Sequence, residues 1–118
     1  NKIPGHYTFI FEATKKMTRA VQANKSDKQV GIRFWPTIIT NKFIEAHGDV
    51  LLSTHIDQAF IELDAGEMIY SYQLEEALIG KVEMILDPGE YEFAGTSTIV
   101  DLSEEGHVEV LREGAGIW

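Results

Sequence analysis

Short β-rich runs alternate with short amphipathic runs along this chain, and Gly or Pro closes most of them. That alternation restricts the fold to a layered α/β sheet. Tyr7-Thr8-Phe9-Ile10-Phe11 follows the turn pair Pro4-Gly5 and predicts a strand. From Thr14 to about Ala23, Met17, Ala20 and Val21 recur at helical spacing with Lys15, Lys16 and Arg19 outward, and Thr14 stands where an N-cap belongs. Val30 to Phe34 predicts a second strand, ended by Trp35-Pro36. Thr37 to His47 carries Ile38, Ile39, Phe43, Ile44 and Ala46 as a helical stripe stopped by Gly48. Val50 to Thr54 is almost continuously apolar, as a strand covered on both faces would be. Residues 58 to 70 fit either a short strand or a loop. Tyr72 to Ile79 predicts a short helix closed by Gly80. Val82 to Leu86 predicts a strand before the turn Asp87-Pro88-Gly89, and Thr98–Leu102 with His107–Leu111 predict a β-hairpin. The expectation is a twisted mixed β-sheet with flanking helices, in a single domain of 118 residues.

Composition narrows the function classes. With no cysteine among 118 residues, thiol catalysis, thiolate metal sites and disulfides drop out together, and a cytoplasmic protein is the expectation. No apolar run approaches the roughly 20 residues a bilayer span needs, so no membrane partner is expected. The formal charge of −9 argues against general nucleic-acid binding, yet it is very unevenly distributed. Residues 1 to 42 hold eight basic residues against two acidic ones, a net +6, whereas residues 43 to 118 hold two against seventeen, a net −15. Such polarity fits a basic face on an acidic body. It fits equally a solvated helix whose partner charges lie elsewhere in the fold.

Nucleotide and zinc signatures are absent: no Gly-x-Gly-x-x-Gly, no Walker A loop and no His-Glu-x-x-His, while Gly114-Ala115-Gly116 is too short to serve. His6, His47 and His107 are scattered without metal-ligand spacing, so no metal site is expected in the chain itself. His55 follows the predicted strand ending at Thr54, and ligands gather at the carboxyl ends of strands in open α/β sheets. Ser53, His55 and Asp57 are nevertheless no nucleophilic triad, because adjacent strand residues point to opposite faces. Three further spots combine hydroxyls and cations: Thr8, the run Thr96-Ser97-Thr98 after Gly95, and the strand-associated Arg33 and Arg112. Arginine offers a planar fork to carboxylate or phosphate, so an anionic ligand is one reading. Arg112 as an ion-pair partner of Glu113 or Glu109 is the other.

The same spots carry a family resemblance. Pro4 to Ile10, Val30 to Arg33, Leu51 to Thr54, Lys81 to Asp87, Ser97 to Leu102 and Leu111 to Gly116 resemble, in order and spacing, the C-terminal part of the YrdC-like family. Members include L-threonylcarbamoyladenylate synthase, which forms an adenylate from threonine, bicarbonate and ATP for tRNA threonylcarbamoyladenosine modification. The resemblance implies a twisted mixed sheet with helices on its faces. It places residues 1–118 as the C-terminal portion of a single YrdC-like domain, without the family's N-terminal Lys-x-Arg pair. It implies Thr8, Ser53, His55 and Arg112 near ATP, and Arg33 and Ser97 near threonine. The implied partners are ATP as substrate with Mg2+ alongside, L-threonine, bicarbonate, and tRNA or double-stranded RNA. Two blocks depart from the family pattern. His55 and Asp57 stand where the synthase has Ser and Asn, and Trp35-Pro36-Thr37-Ile38 replaces Pro-Asp-His-Pro. Tyr7-Thr8-Phe9-Ile10 followed by Ala13-Thr14-Lys15, with the loss of the family's Ser-Ala-Asn after Thr54, looks closer to the YciO branch, described as RNA- or nucleotide-binding. The open alternatives are therefore a non-catalytic RNA- or nucleotide-binding module and a degenerate interaction domain.

Overall fold

A computed structural model describes residues 2–23, 26, 28–56, 61, 64–87 and 89–118. The chain divides into two units, Asn1–Leu52 with Thr96–Trp118, and Ser53–Gly95. In the first, β1 (Tyr7–Glu12), β2 (Gln29–Ile32), β5 (Thr98–Asp101) and β6 (Glu109–Arg112) form one mixed sheet in the order β2-β1-β5-β6. Strand β1 runs parallel to β5, and the outer pairs are antiparallel. Helices α1 (Lys15–Ala20) and α2 (Ile38–His47) flank it in sequence. Both start as expected: the Thr14 hydroxyl accepts from the Met17 N–H and the Thr37 hydroxyl from the Thr40 N–H. Helix α2 stops at Gly48 in the left-handed conformation, with φ of 74°.

Strand periodicity sorts β1 into two faces. Tyr7 and Phe9 are buried with Val100 as the core, and Phe11, Leu102 and Val110 pack against them. Tyr7 and Phe9 stack at 5.8 Å, and Trp118 meets both edge-on at 6.3 Å. Val100 has no exposed surface. Val100→Ala is expected to destabilise this unit by about 2 kcal/mol in a denaturant titration, because the neighbouring aromatics cannot collapse into the space left. Thr8, on the opposite face of β1, belongs to the site described below.

The pairing of β5 with β6 is irregular. Asp101 lies opposite Glu109 and Val100 opposite Val110, but Ile99 lies opposite Arg112, so Leu111 is an extra residue. This is a β-bulge. In an uninterrupted ladder Ile99 would face Leu111, and Arg112 would point to the side of Val100 and Val110. The bulge carries the arginine to the side of Thr8 instead.

In the second unit, β3 (Met68–Ile69) pairs with β4 (Tyr91–Glu92), and α3 (Ser71–Leu78) buries Leu74. The Ser71 hydroxyl and then the Gly89 N–H lower the pKa of Asp87. Burial, with the Asp87 charge second, raises that of Tyr91.

Two expected strands do not form. Val50 to Thr54 and Val82 to Leu86 are irregular, and Leu52 and Met84 are 73% and 65% exposed. An apolar run becomes a strand only where a sheet edge accepts its backbone, and neither run has one among the described residues. Most of the ambiguous stretch 59–63 lies outside the described residues, as do Asp57 and Pro88. No described helix is long and apolar enough to cross a membrane.

Candidate anion-binding site

Four side chains from four strands or strand ends meet on the sheet face opposite the aromatic core. Extending the β1–β2 register, in which Phe9 lies opposite Ile32, puts Arg33 opposite Thr8. The Arg33 Nε donates to Thr8 Oγ1 at 2.8 Å. Thr8 Oγ1 and Ser97 Oγ are 2.8 Å apart, a hydroxyl–hydroxyl bond brought together by the parallel β1–β5 pairing. Arg112, turned to this face by the bulge, donates from Nη2 to Ser97 Oγ at 3.3 Å. Its Nε and Nη2 also reach the Ser97 carbonyl oxygen at 3.1 and 2.7 Å. The result is a chain of contacts running Arg33, Thr8, Ser97, Arg112.

Proton counting shows what the chain can still do. Each hydroxyl has one hydrogen, and each accepts from a guanidinium. Their mutual bond uses one hydrogen. The other has no acceptor in the network and is free for a ligand oxygen, as are the guanidinium N–H groups not already engaged. Every unassigned polar hydrogen here is a donor, so the arrangement suits an anion.

Electrostatics agrees. The one ion pair within 4 Å among the described residues joins His107 to Glu109, so neither Arg33 nor Arg112 has a carboxylate partner. Glu113 and Glu109 therefore do not neutralise Arg112. Burial, and secondarily the positive charge of Arg112, lower the pKa of Arg33, although a guanidinium stays protonated at neutral pH. Two like charges held beside one hydroxyl pair are complementary to phosphate or carboxylate. The described residues contain no group of three or more His, Asp or Glu able to hold a metal.

Of the six site residues expected from sequence, the first unit brings together Thr8, Arg33, Ser97 and Arg112. Ser53 and His55 belong to the second unit and are exposed on irregular backbone, so the strand-end argument for His55 does not hold. Asp57 lies outside the described residues. Sequence groups Thr98 with the hydroxyls suited to an anion, but it stands behind the cluster, and sequence does not foretell the contacts it makes there. Thr98 is only 1% exposed, donates to the Gly116 carbonyl oxygen at 2.5 Å and accepts from the Gly114 N–H at 2.9 Å. The signal was the paired glycines of Gly114-Ala115-Gly116, which mark close backbone approach rather than a phosphate loop.

Residues 1–114 match the model of the Sua5/YciO/YrdC domain, described as "Telomere recombination". A Haemophilus influenzae protein carrying the name "Uncharacterized protein" is 32% identical over 98% of this chain, which spans about half (54%) of that protein's length. A double-substituted P. abyssi Sua5 superposes with a TM-score of 0.73 at 23% identity, covering 95% of this chain and 32% of that one. This structural likeness bears on the fold.

Proposed function

The chain belongs to the Sua5/YciO/YrdC family, and on that premise we propose that it is a nucleotide-binding domain of the threonylcarbamoyl-AMP synthase type. In this reading Thr8 and Arg112 engage the ATP phosphates, and Arg33 and Ser97 serve the threonine side. For Ser53 and His55 the assignment to ATP rests on the resemblance alone. Any Mg2+ arrives on the triphosphate, since phosphate oxygens ligate it readily and the cluster offers only donors. The threonine amine and bicarbonate form a carbamate with loss of one water, as the C–N bond replaces a C–O bond, and a carbamate oxygen attacks the α-phosphorus. The α–β anhydride bond breaks, and pyrophosphate leaves with its charge. The Arg112 guanidinium and a spare hydroxyl proton are suited to hold that charge as it develops, with the Arg33 charge fixed close by.

The observation that carries the reading is the pair of unneutralised arginines sharing one hydroxyl pair. Isothermal titration with pyrophosphate and with ATP tests it. Saturable binding that weakens with salt is expected, and no binding at millimolar ligand overturns it. Pyrophosphate release that requires both threonine and bicarbonate would establish the synthase. ATP binding without release would leave a binding module.

A second reading has its own observation. Lys15, Lys16 and Arg19 on α1, with Lys28, are exposed and make no ion pair within 4 Å among the described residues. They are free to meet the phosphates of tRNA or double-stranded RNA. Such binding should fall at least tenfold between 50 and 200 mM salt, measured by anisotropy with a labelled duplex. Salt-independent or absent binding excludes it.

A further inference from the structure

We infer that Thr98, which does not face the cluster, is the positioning residue that sets Arg112 against Ser97. The inference rests on the reading of the four-residue cluster as an anion site. Thr98 follows Ser97 on β5, so its side chain points to the opposite, core-facing side of the sheet. There its hydroxyl bridges two backbone groups of the segment after Arg112, accepting from the Gly114 N–H and donating to the Gly116 carbonyl oxygen. The Ala115 N–H adds a bond to the Thr96 carbonyl oxygen at 2.8 Å. Residues 114–116 are thus pinned to β5 on both sides of Ser97, by Thr96 and Thr98.

The contacts are close enough to exclude side chains. A Cβ on Gly114 would overlap the Thr96 carbonyl oxygen, and one on Gly116 would lie 2.7 Å from the His6 carbonyl oxygen. Further along, the Tyr7 hydroxyl and the Lys2 ammonium both donate to the Ile117 carbonyl oxygen at 2.6 Å. Arg112 sits two residues before this clamp and immediately after the bulge. The bulge leaves its extra residue unpaired and disrupts the ladder locally, so beyond it the ladder holds Arg112 through a single pair, with Ile99. The clamp supplies the second hold, from the downstream side. With it closed, Arg112 reaches the Ser97 carbonyl and hydroxyl together; with it open, β6 can relax its register and the fork leaves the cluster.

Thermodynamic reciprocity gives this a two-way consequence. If the closed clamp favours anion binding, anion binding favours the closed clamp by the same factor. Three measurements on the intact chain test it. First, Thr98→Val is expected to weaken pyrophosphate binding at least tenfold by calorimetry, while Thr98→Ser, which keeps the hydroxyl, stays within threefold of the parent. Second, Val100→Ala removes core packing from the same strand face without touching the clamp, and should leave pyrophosphate affinity within twofold at temperatures where it is folded. Third, saturating pyrophosphate should slow hydrogen exchange at the Gly114 and Ala115 amides of the unsubstituted protein. This last readout holds even if Thr98→Val does not fold. Equal affinity in Thr98→Val and the parent, failure of Thr98→Ser to restore binding, or unchanged exchange at both amides overturns the inference and leaves the anion site standing. Failure of the unsubstituted protein to bind pyrophosphate overturns the site reading itself.

Discussion

Arg112→Gln is expected to lower pyrophosphate affinity about 100-fold, which corresponds to about 3 kcal/mol for the loss of one charge and its forked hydrogen bonds. Glutamine keeps a donor of shorter reach, so the effect isolates the guanidinium. Arg33→Gln should reduce affinity by a smaller factor, about 10-fold, because in the proposed reading Arg33 serves the threonine side and acts on pyrophosphate mainly through its charge. The sign of the stability change distinguishes an anion site from a structural network. In the ligand-free protein the two guanidiniums repel each other and have no carboxylate partner within 4 Å among the described residues. Removing the Arg33 charge therefore relieves repulsion. Thermal melts of Arg33→Gln without ligand should show an unchanged or higher midpoint, together with the loss in affinity. Adding pyrophosphate to the unsubstituted protein should stabilise it, by about 2.7 kcal/mol at 100 times the dissociation constant. A fall in the midpoint of Arg33→Gln, with affinity intact, would mean that the network is there for stability alone.

Gly114→Ala should be the most damaging single-methyl substitution on this sheet, at about 3 kcal/mol. The added carbon would overlap the Thr96 carbonyl oxygen and press on the carbonyl of Ser97 at 2.8 Å. Backbone on both sides must separate, and overpacking of this kind costs about 1–3 kcal/mol. The Gly114–Thr98 and Ala115–Thr96 hydrogen bonds lengthen with it, at roughly 1 kcal/mol each. A urea titration measures the loss. Because the affected carbonyl is the one Arg112 holds, pyrophosphate affinity should fall in the same variant. Gly106→Ala is a useful contrast: Gly106 has φ of 77°, but nothing lies within 4 Å of its added Cβ. It should cost only about 1 kcal/mol of left-handed strain and leave affinity unchanged.

The two helices of the first unit and all four of its strands were legible because each is bounded by its own local chemistry. Thr14 and Thr37 cap, Gly48 terminates, and β1 puts Tyr7, Phe9 and Phe11 on its core side with Thr8 on the other. Val50–Thr54 and Val82–Leu86 misled because apolar composition records a wish for burial and carries no information about a pairing partner. Strands β3 and β4, of two residues each, are too short for any period to register. For the site, residue type was enough to single out Thr8, Arg33, Ser97 and Arg112. Whether Arg112 served an acid or a ligand was a question of geometry. No carboxylate lies within 4 Å of Arg112 among the described residues, and adjacency to Glu109 and Glu113 in sequence does not fix that. Sequence groups Thr98 with the ligand-side hydroxyls because one hydroxyl in Thr96-Ser97-Thr98 reads like the next, although alternate residues of a strand face different neighbours.

Leu111 contributes to the site by staying out of the ladder. Its side chain is half exposed and touches none of the four cluster residues through a hydrogen bond, yet its unpaired place between Val110 and Arg112 decides which side of the sheet receives a positive charge. Were Leu111 drawn into the ladder opposite Ile99, the same arginine would be driven toward Tyr7, Phe9 and Val100, and a guanidinium that now meets hydroxyls would become a buried, uncompensated ion. At this position the destination of a charge is encoded in pairing, and side-chain identity is nearly free to drift.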